Sequence, residues 1–201
     1  MKLIFREFYL SEMEHKMAHH KMKIAGIDCT LPLCPINDNL YIAAFIMLGN
    51  TKLSQACAEE LLKVAPAFDC IITAEAKGIA LAHEMARLSG LEHYLVARKS
   101  TKLYMQGILT VDVKSITTAG DQKLYIDSAD AESMRGKRVL VVDDVISTGE
   151  SLAALCELVR VAGGEIAGKM CVLAEGEAQR MEGITYLEPL PLFGADGRPL
   201  Y

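Results

Sequence analysis

Two adjacent carboxylates, Asp143 and Asp144, are followed after two apolar residues by Ser147, Thr148, Gly149, Glu150 and Ser151. Ahead of them, residues 139–142 read Val-Leu-Val-Val, the apolar, β-branched run of a strand buried on both faces of a parallel sheet. Behind them a helical pattern starts at once with Leu152, Leu155, Leu158 and Val159. Backbone N–H groups at a helix start hold a phosphate, and hydroxyl side chains add donors. Carboxylates at the strand's carboxyl end suit vicinal ribose hydroxyls, directly or through a cation. The string describes a phosphosugar cradle. The plain alternative is a strand–turn–helix whose acidic pair is solvated or caps the helix, and no single residue of the string separates the two. A Walker A loop is excluded because no Gly-Lys-Ser/Thr is present, and a dinucleotide fingerprint because no Gly-x-Gly-x-x-Gly follows a strand.

Two further segments have matching chemistry. Thr73-Ala-Glu75-Ala76-Lys77-Gly78-Ile79 lies between an apolar run and a helical pattern; its small residues let backbone approach a ligand, and Lys77 adds a cation. Arg98, Lys99 and Lys102 put three cations within five residues after the next strand and suit a pyrophosphate leaving group. Taken alone, the first reads equally as a plain turn and the second as a solvated charge cluster.

The elements that must hold these segments follow from periodicity. Helices are expected at residues 53–64, 79–88 and 149–162, and strands at 3–10, 69–73, 94–97, 138–142, 166–173 and 184–187. Residues 22–36 read as an irregular strand pair, and 109–116 with 123–126 as an antiparallel pair. Strands alternating with helices predict an α/β fold, a mostly parallel twisted sheet with helices on both faces. Ligands of such sheets sit at the carboxyl ends of the strands, the edge that carries all three segments.

The acidic pair with Ser-Thr-Gly-Glu-Ser resembles the phosphoribosyl-pyrophosphate (PRPP) signature of type I phosphoribosyltransferases. Glu75 to Gly78 is similar to the pyrophosphate loop of the adenine enzymes, and residues 97–118 resemble the xanthine enzymes. The resemblance spans at least residues 53–175 and points to the purine branch. It implies a transfer of the 5-phosphoribosyl group of PRPP to a purine base, with Mg2+ as cofactor held mainly through PRPP. It implies Asp143 and Asp144 as catalytic residues, with the metal also reached by them. Ser147, Thr148, Gly149, Glu150 and Ser151 would bind the 5′-phosphate. Glu75, Ala76, Lys77, Gly78, Arg98, Lys99 and Lys102 would bind pyrophosphate, with a cis peptide at Glu75–Ala76 or Ala76–Lys77. It implies a homodimer, with the segment 99–106 near the neighbour's site, and a segment 100–119 that closes over PRPP. Adenine enzymes carry a glutamate where Thr117 and Thr118 stand here, so adenine and xanthine are both expected acceptors. The base is expected under a hood drawn from residues 22–50 and 184–201, with Ile27, Tyr186, Leu192 and above all Phe193 as stacking candidates. The domain plan is residues 1–50 as an N-terminal extension and part of the hood, 51–175 as the core and 176–201 as the hood or tail, all in one compact domain. The alternative from another class is a PRPP-sensing regulator of the same fold without transferase activity; the chain's acidity and the few residues before its core speak against it.

Composition agrees. The 201 residues are 51% hydrophobic and 23% charged, enough for one domain with a sizeable core. A net charge of −5 disfavours a nucleic-acid partner. No run of eighteen apolar residues and no signal-like start are present, so neither membrane nor export is expected and the cytoplasm is the default. The six cysteines lack Cys-x-x-Cys spacing; Cys57, Cys70, Cys156 and Cys171 fall inside apolar patterns and read as buried thiols in a reducing compartment. His15, His19 and His20 would share a face if helical, yet they have no third ligand and read as a polar surface segment. Asp196, Arg198 and Tyr201 sit in a Gly/Pro-rich tail that reads equally as hood or terminal strap.

Overall fold

A computed structural model describes residues 18–113 and 122–200. The expected strand at 3–10, His15, Thr117, Thr118 and Tyr201 lie outside the described residues, as does part of the segment 100–119.

Three strands come first: β1 (His19–Ile24), β2 (Ile27–Asn37) and β3 (Leu40–Ala43) form an antiparallel sheet in the order β1-β2-β3. The β1–β2 turn is Ala25-Gly26, both at positive φ (47° and 77°), the backbone that a two-residue hairpin needs. Helix α1 (Thr51–Val64) follows, capped by Asn50, whose side chain accepts from Leu53 N at 3.1 Å. Then come β4 (Cys70–Ala74), α2 (Ile79–Leu88), β5 (Leu95–Ala97), the antiparallel pair β6 (Leu109–Val113) and β7 (Gln122–Ile126), α3 (Ser128–Met134), β8 (Arg138–Ile146), α4 (Glu150–Val161), β9 (Glu165–Glu175), a 3₁₀ turn (Gly176–Arg180) and β10 (Thr185–Leu190).

The central sheet has five parallel strands in the order β10-β9-β8-β4-β5. Its inner strands are apolar on both faces because both are covered. Cys70, Ile72, Val139 and Val141 pack with Leu155, Leu158 and Val159 of α4. The alternate residues Ile71, Leu140 and Val142 pack with Leu61 of α1 and Met85 of α2. The β1–β3 sheet shares this second core through Ile24, Leu33 and Ala43, and Ile42 and Ala43 line a cavity with Ser147 and Glu175 at the carboxyl ends of the strands. Cys57, Cys70, Cys156 and Cys171 are buried thiols, and Cys29 and Cys34 are half-buried. No helix among the described residues is long and apolar enough to cross a membrane.

One expectation is corrected, and two features are added to it. Strand β8 does not stop at Val142: Val145 and Ile146 pair with Leu173 and Ala174 of β9, so the acidic pair lies within the strand's last turn of pleat rather than after it. His19 and His20 sit on a strand, where i and i+4 spacing has no helical meaning, and His20 stacks at 5.0 Å on Phe193. Helix α3 went unforeseen because seven residues with Met134 alone buried carry no 3.6 period; its one legible sign is Asp127, whose carboxylate caps Asp130 N at 2.9 Å.

Candidate active site

The long apolar strand β8 delivers Asp143 and Asp144 to the sheet edge. Asp144 is buried (2% exposed), and its Oδ2 accepts no hydrogen bond among the described residues; Lys77 Nζ faces it at 3.4 Å. Asp143 lines a small cavity with residues 145–152, and its Oδ1 accepts from Asp144 N at 2.9 Å. Burial and the neighbouring Asp144 carboxylate push the Asp143 carboxyl well above its ordinary value.

Past β8 the chain turns through Ser147 and Thr148. Gly149 takes φ +78° immediately before α4, a left-handed conformation that glycine adopts without strain. The N-cap residue Gly149 supplies no side-chain cap to α4. The N–H groups of the first turn of α4 have no intrahelical partner, and this turn lines the same cavity as Ser147, Thr148, Glu150 and Ser151. A side chain at Gly149 would meet Met181 at 3.1 Å.

The second loop follows β4. The peptide between Glu75 and Ala76 is cis, at one of the two positions the resemblance indicated. Glu75 N donates to Ala97 O at 2.9 Å and ties this loop to the end of β5. At Gly78 (φ −70°) an added Cβ would lie 2.2 Å from Thr73 Oγ1 and 2.9 Å from Asp143 Oδ1, so the loop presses on the acidic pair and only glycine fits. Thr73 Oγ1 is itself buried without a hydrogen-bond partner among the described residues.

The third segment is held by reciprocal backbone hydrogen bonds of 2.8 Å between Arg98 and Tyr125. Glu75 lies between its cations: Arg98 and Lys102 each stand 3.8 Å from Glu75 Oε1, and Lys99 N donates to Glu75 Oε2 at 3.2 Å. Lys99 is exposed, and its ammonium forms no ion pair among the described residues.

A larger cavity of about 430 Å³ opens between residues 42–46 and the sheet edge. Its polar lining is Lys77, Ser147 and Glu175. Burial raises the Glu175 carboxyl above its ordinary value, and Lys77 opposes the rise. The expected stacking residues do not line this cavity. Phe193 is 1% exposed, locked in the core by backbone hydrogen bonds to Tyr41 of 2.8 and 2.9 Å; its ring is a strap, not a ligand platform. Leu192 packs over Gly176, Tyr186 donates its hydroxyl to Gln179 O at 3.5 Å on the α4 side, and Ile27 packs at the β1–β2 hairpin. Residues 42–46 and Leu190 fall inside the two ranges expected for the hood, whereas Glu175 lies outside both.

A sheet edge with a small helix-start loop, an acidic pair and two cationic loops has the chemistry that suits a phosphosugar. The chain belongs to the phosphoribosyl transferase domain family, whose model matches residues 38–187, and it falls in the purine branch of the type I enzymes. It is 31% identical over 149 residues to a hypoxanthine/guanine phosphoribosyltransferase of Methanotorris igneus, covering 73% of this chain and 74% of that one. It is 35% identical over 146 residues to an adenine phosphoribosyltransferase of Petrotoga mobilis, covering 71% and 75%. The fold matches a crystal structure of adenine phosphoribosyltransferase from Thermoanaerobacter pseudethanolicus with TM-score 0.61 at 22% identity, covering 87% of this chain and 96% of that chain. The protein is thus a transferase of purine-salvage type.

Proposed function

We propose that the protein transfers the 5-phosphoribosyl group of PRPP to a purine base, giving a nucleoside monophosphate and pyrophosphate. The observation that carries this is the convergence of the α4 start, the acidic pair of β8 and the cations Lys77, Arg98, Lys99 and Lys102 on one sheet edge. The 5′-phosphate sits on the α4 start, held by backbone N–H groups of residues 148–151 and the hydroxyls of Ser147, Thr148 and Ser151. Asp143 and Asp144 accept from the ribose hydroxyls. Lys77, Gly78 and the backbone of Glu75 and Ala76, with Arg98, Lys99 and Lys102, take the pyrophosphate. A ring nitrogen of the base bonds to the anomeric carbon as the bond from that carbon to the pyrophosphate oxygen breaks, and the nitrogen's proton is lost. Positive charge gathers on the ribose in between, and the two carboxylates below it favour that charge. The rest of the catalysis is positioning.

Magnesium fits this edge as a substrate-borne ion. Among the described residues, Asp144 Oδ2 is a buried acceptor without a hydrogen bond, and no group of three or more His, Cys, Asp or Glu side chains forms a cage. Asp143 and Asp144 would be its protein ligands beside PRPP oxygens and water, and it would supply charge neutralisation of the pyrophosphate.

For the base, the loop motifs put adenine and xanthine first, and relatives named for hypoxanthine/guanine and for adenine support a purine. The protein acts in the cytoplasm, as a homodimer. The test is product analysis after incubation with PRPP, Mg2+ and each of adenine, guanine, hypoxanthine, xanthine and orotate. A purine mononucleotide is expected; turnover of orotate alone overturns the purine assignment.

A further inference from the structure

The cavity beneath residues 42–46 contains one charged side chain that the transfer scheme leaves without a task. Glu175 ends β9; Ala174 pairs with Ile146 and Glu175 itself with Leu190, which sets Glu175 level with Ser147 at the cavity floor. Its carboxylate forms no hydrogen bond or ion pair among the described residues. Apart from Lys77, whose charge acts on Glu175 without pairing with it, and Ser147, the surrounding wall is apolar: Ile42, Ala43, Phe45, Ile46, Val145 and Leu190. Ile46 is 65% exposed at the mouth, an aliphatic face open to a flat ring. A half-buried carboxylate without a donor, set in an apolar slot, is an acceptor waiting for a ligand's N–H groups.

We propose that Glu175 selects the base by accepting hydrogen bonds from a ring N–H and an adjacent exocyclic amino group, which makes guanine the preferred acceptor. The proposal rests on the purine-transfer reading above and sets guanine ahead of the adenine and xanthine that the loop motifs favour. Guanine presents N1–H and the 2-amino group side by side, two donors for two carboxylate oxygens. Hypoxanthine keeps N1–H and lacks the amino group. Xanthine turns a carbonyl to the carboxylate at that position, and adenine presents a bare acceptor at N1. A site built to accept from a ligand discriminates strongly against analogues that leave its group unpaired. Burial has already removed part of this carboxylate's water, as the upward push on its proton affinity reflects.

The experiment is a comparison of kcat/KM for guanine, hypoxanthine, adenine and xanthine at saturating PRPP, in the wild type and in Glu175→Gln. The isosteric amide offers one acceptor and one donor, which suits the N1–H and 6-oxo edge of hypoxanthine. The wild type is expected to favour guanine over hypoxanthine by tenfold or more, and Glu175→Gln to cut that ratio at least tenfold, with KM for PRPP moving less than KM for guanine. Glu175→Ala, read by the same ratio, serves where the glutamine variant folds poorly. A merely structural role would lower all bases together, so an unchanged ratio in both variants overturns the proposal. If no purine turns over in the wild type, the transfer reading itself fails and the guanine assignment falls with it.

Discussion

Lys77 Nζ stands 3.4 Å from Asp144 Oδ2 and joins the loop after β4 to the acidic pair of β8. The Asp144 side chain is 3% exposed and that of Lys77 is 54% exposed, so a solvated cation is the counter-ion of a buried carboxylate. Removing the cation strands the charge that cannot reach water. Lys77→Met is expected to cost about 1 kcal/mol of stability, the exposed end of the pair limiting the loss, and to raise KM for PRPP about tenfold. Thermal unfolding and steady-state kinetics check the two effects separately; an unchanged KM removes Lys77 from the pyrophosphate site.

The raised carboxyl of Asp143 gives a pH signature. Its folded value, pushed up to about 7 by burial and by Asp144, lies above its ordinary 3.8. Folded chains therefore hold a proton that unfolded chains lose between those two values, and stability falls as pH rises through that window, then levels off. Asp143→Asn removes the loss. The variant is expected to melt several degrees above the wild type at pH 8, with a smaller difference at pH 4, while transfer is impaired. Melting curves across this range check it; a difference that does not grow with pH contradicts it.

Glu75 lies 3.8 Å from both Arg98 and Lys102, in the position of an internal anion among the cations assigned to pyrophosphate. Glu75→Gln keeps the shape and frees both cations. Pyrophosphate is expected to inhibit the variant at concentrations several-fold lower than it inhibits the wild type. Product-inhibition kinetics read this directly, and weaker inhibition would instead make Glu75 a needed part of the site.

The segment after β5 exposes Leu103, Tyr104 and Ile108, large apolar side chains that soluble surfaces seldom group. A partner subunit covering them is the expected arrangement, and light scattering should give a dimer that Leu103→Asp with Tyr104→Asp dissociates. An active monomer at low concentration contradicts this.

The core was legible because its signals are local. A continuous apolar strand at 139–142, a helical pattern at 79–88 and the turn chemistry from Asp143 to Ser151 each follow from neighbouring residues. The cavity under residues 42–46 was legible only as a hood drawn from residues 22–50 and 184–201; its floor at the end of β9 was not, because it comes from a segment far from both in sequence. Phe193 shows the same difficulty. Its Gly/Pro-flanked tail reads as open, yet pairing with Tyr41 buries the ring. Glu175 gave no signal of its own, since a carboxylate after an apolar strand is also how a strand ends at water.

The central claim is that the acidic pair of β8 carries the transfer, and the double variant Asp143→Asn with Asp144→Asn tests it most directly. Both amides match the carboxylates in shape, so the fold is expected to survive, as circular dichroism and melting would show. PRPP-dependent release of pyrophosphate with a purine acceptor is expected to fall by a factor of about 10³ or more, the scale of lost charge stabilisation at a reacting centre. A stable double variant that releases pyrophosphate at the wild-type rate contradicts the account.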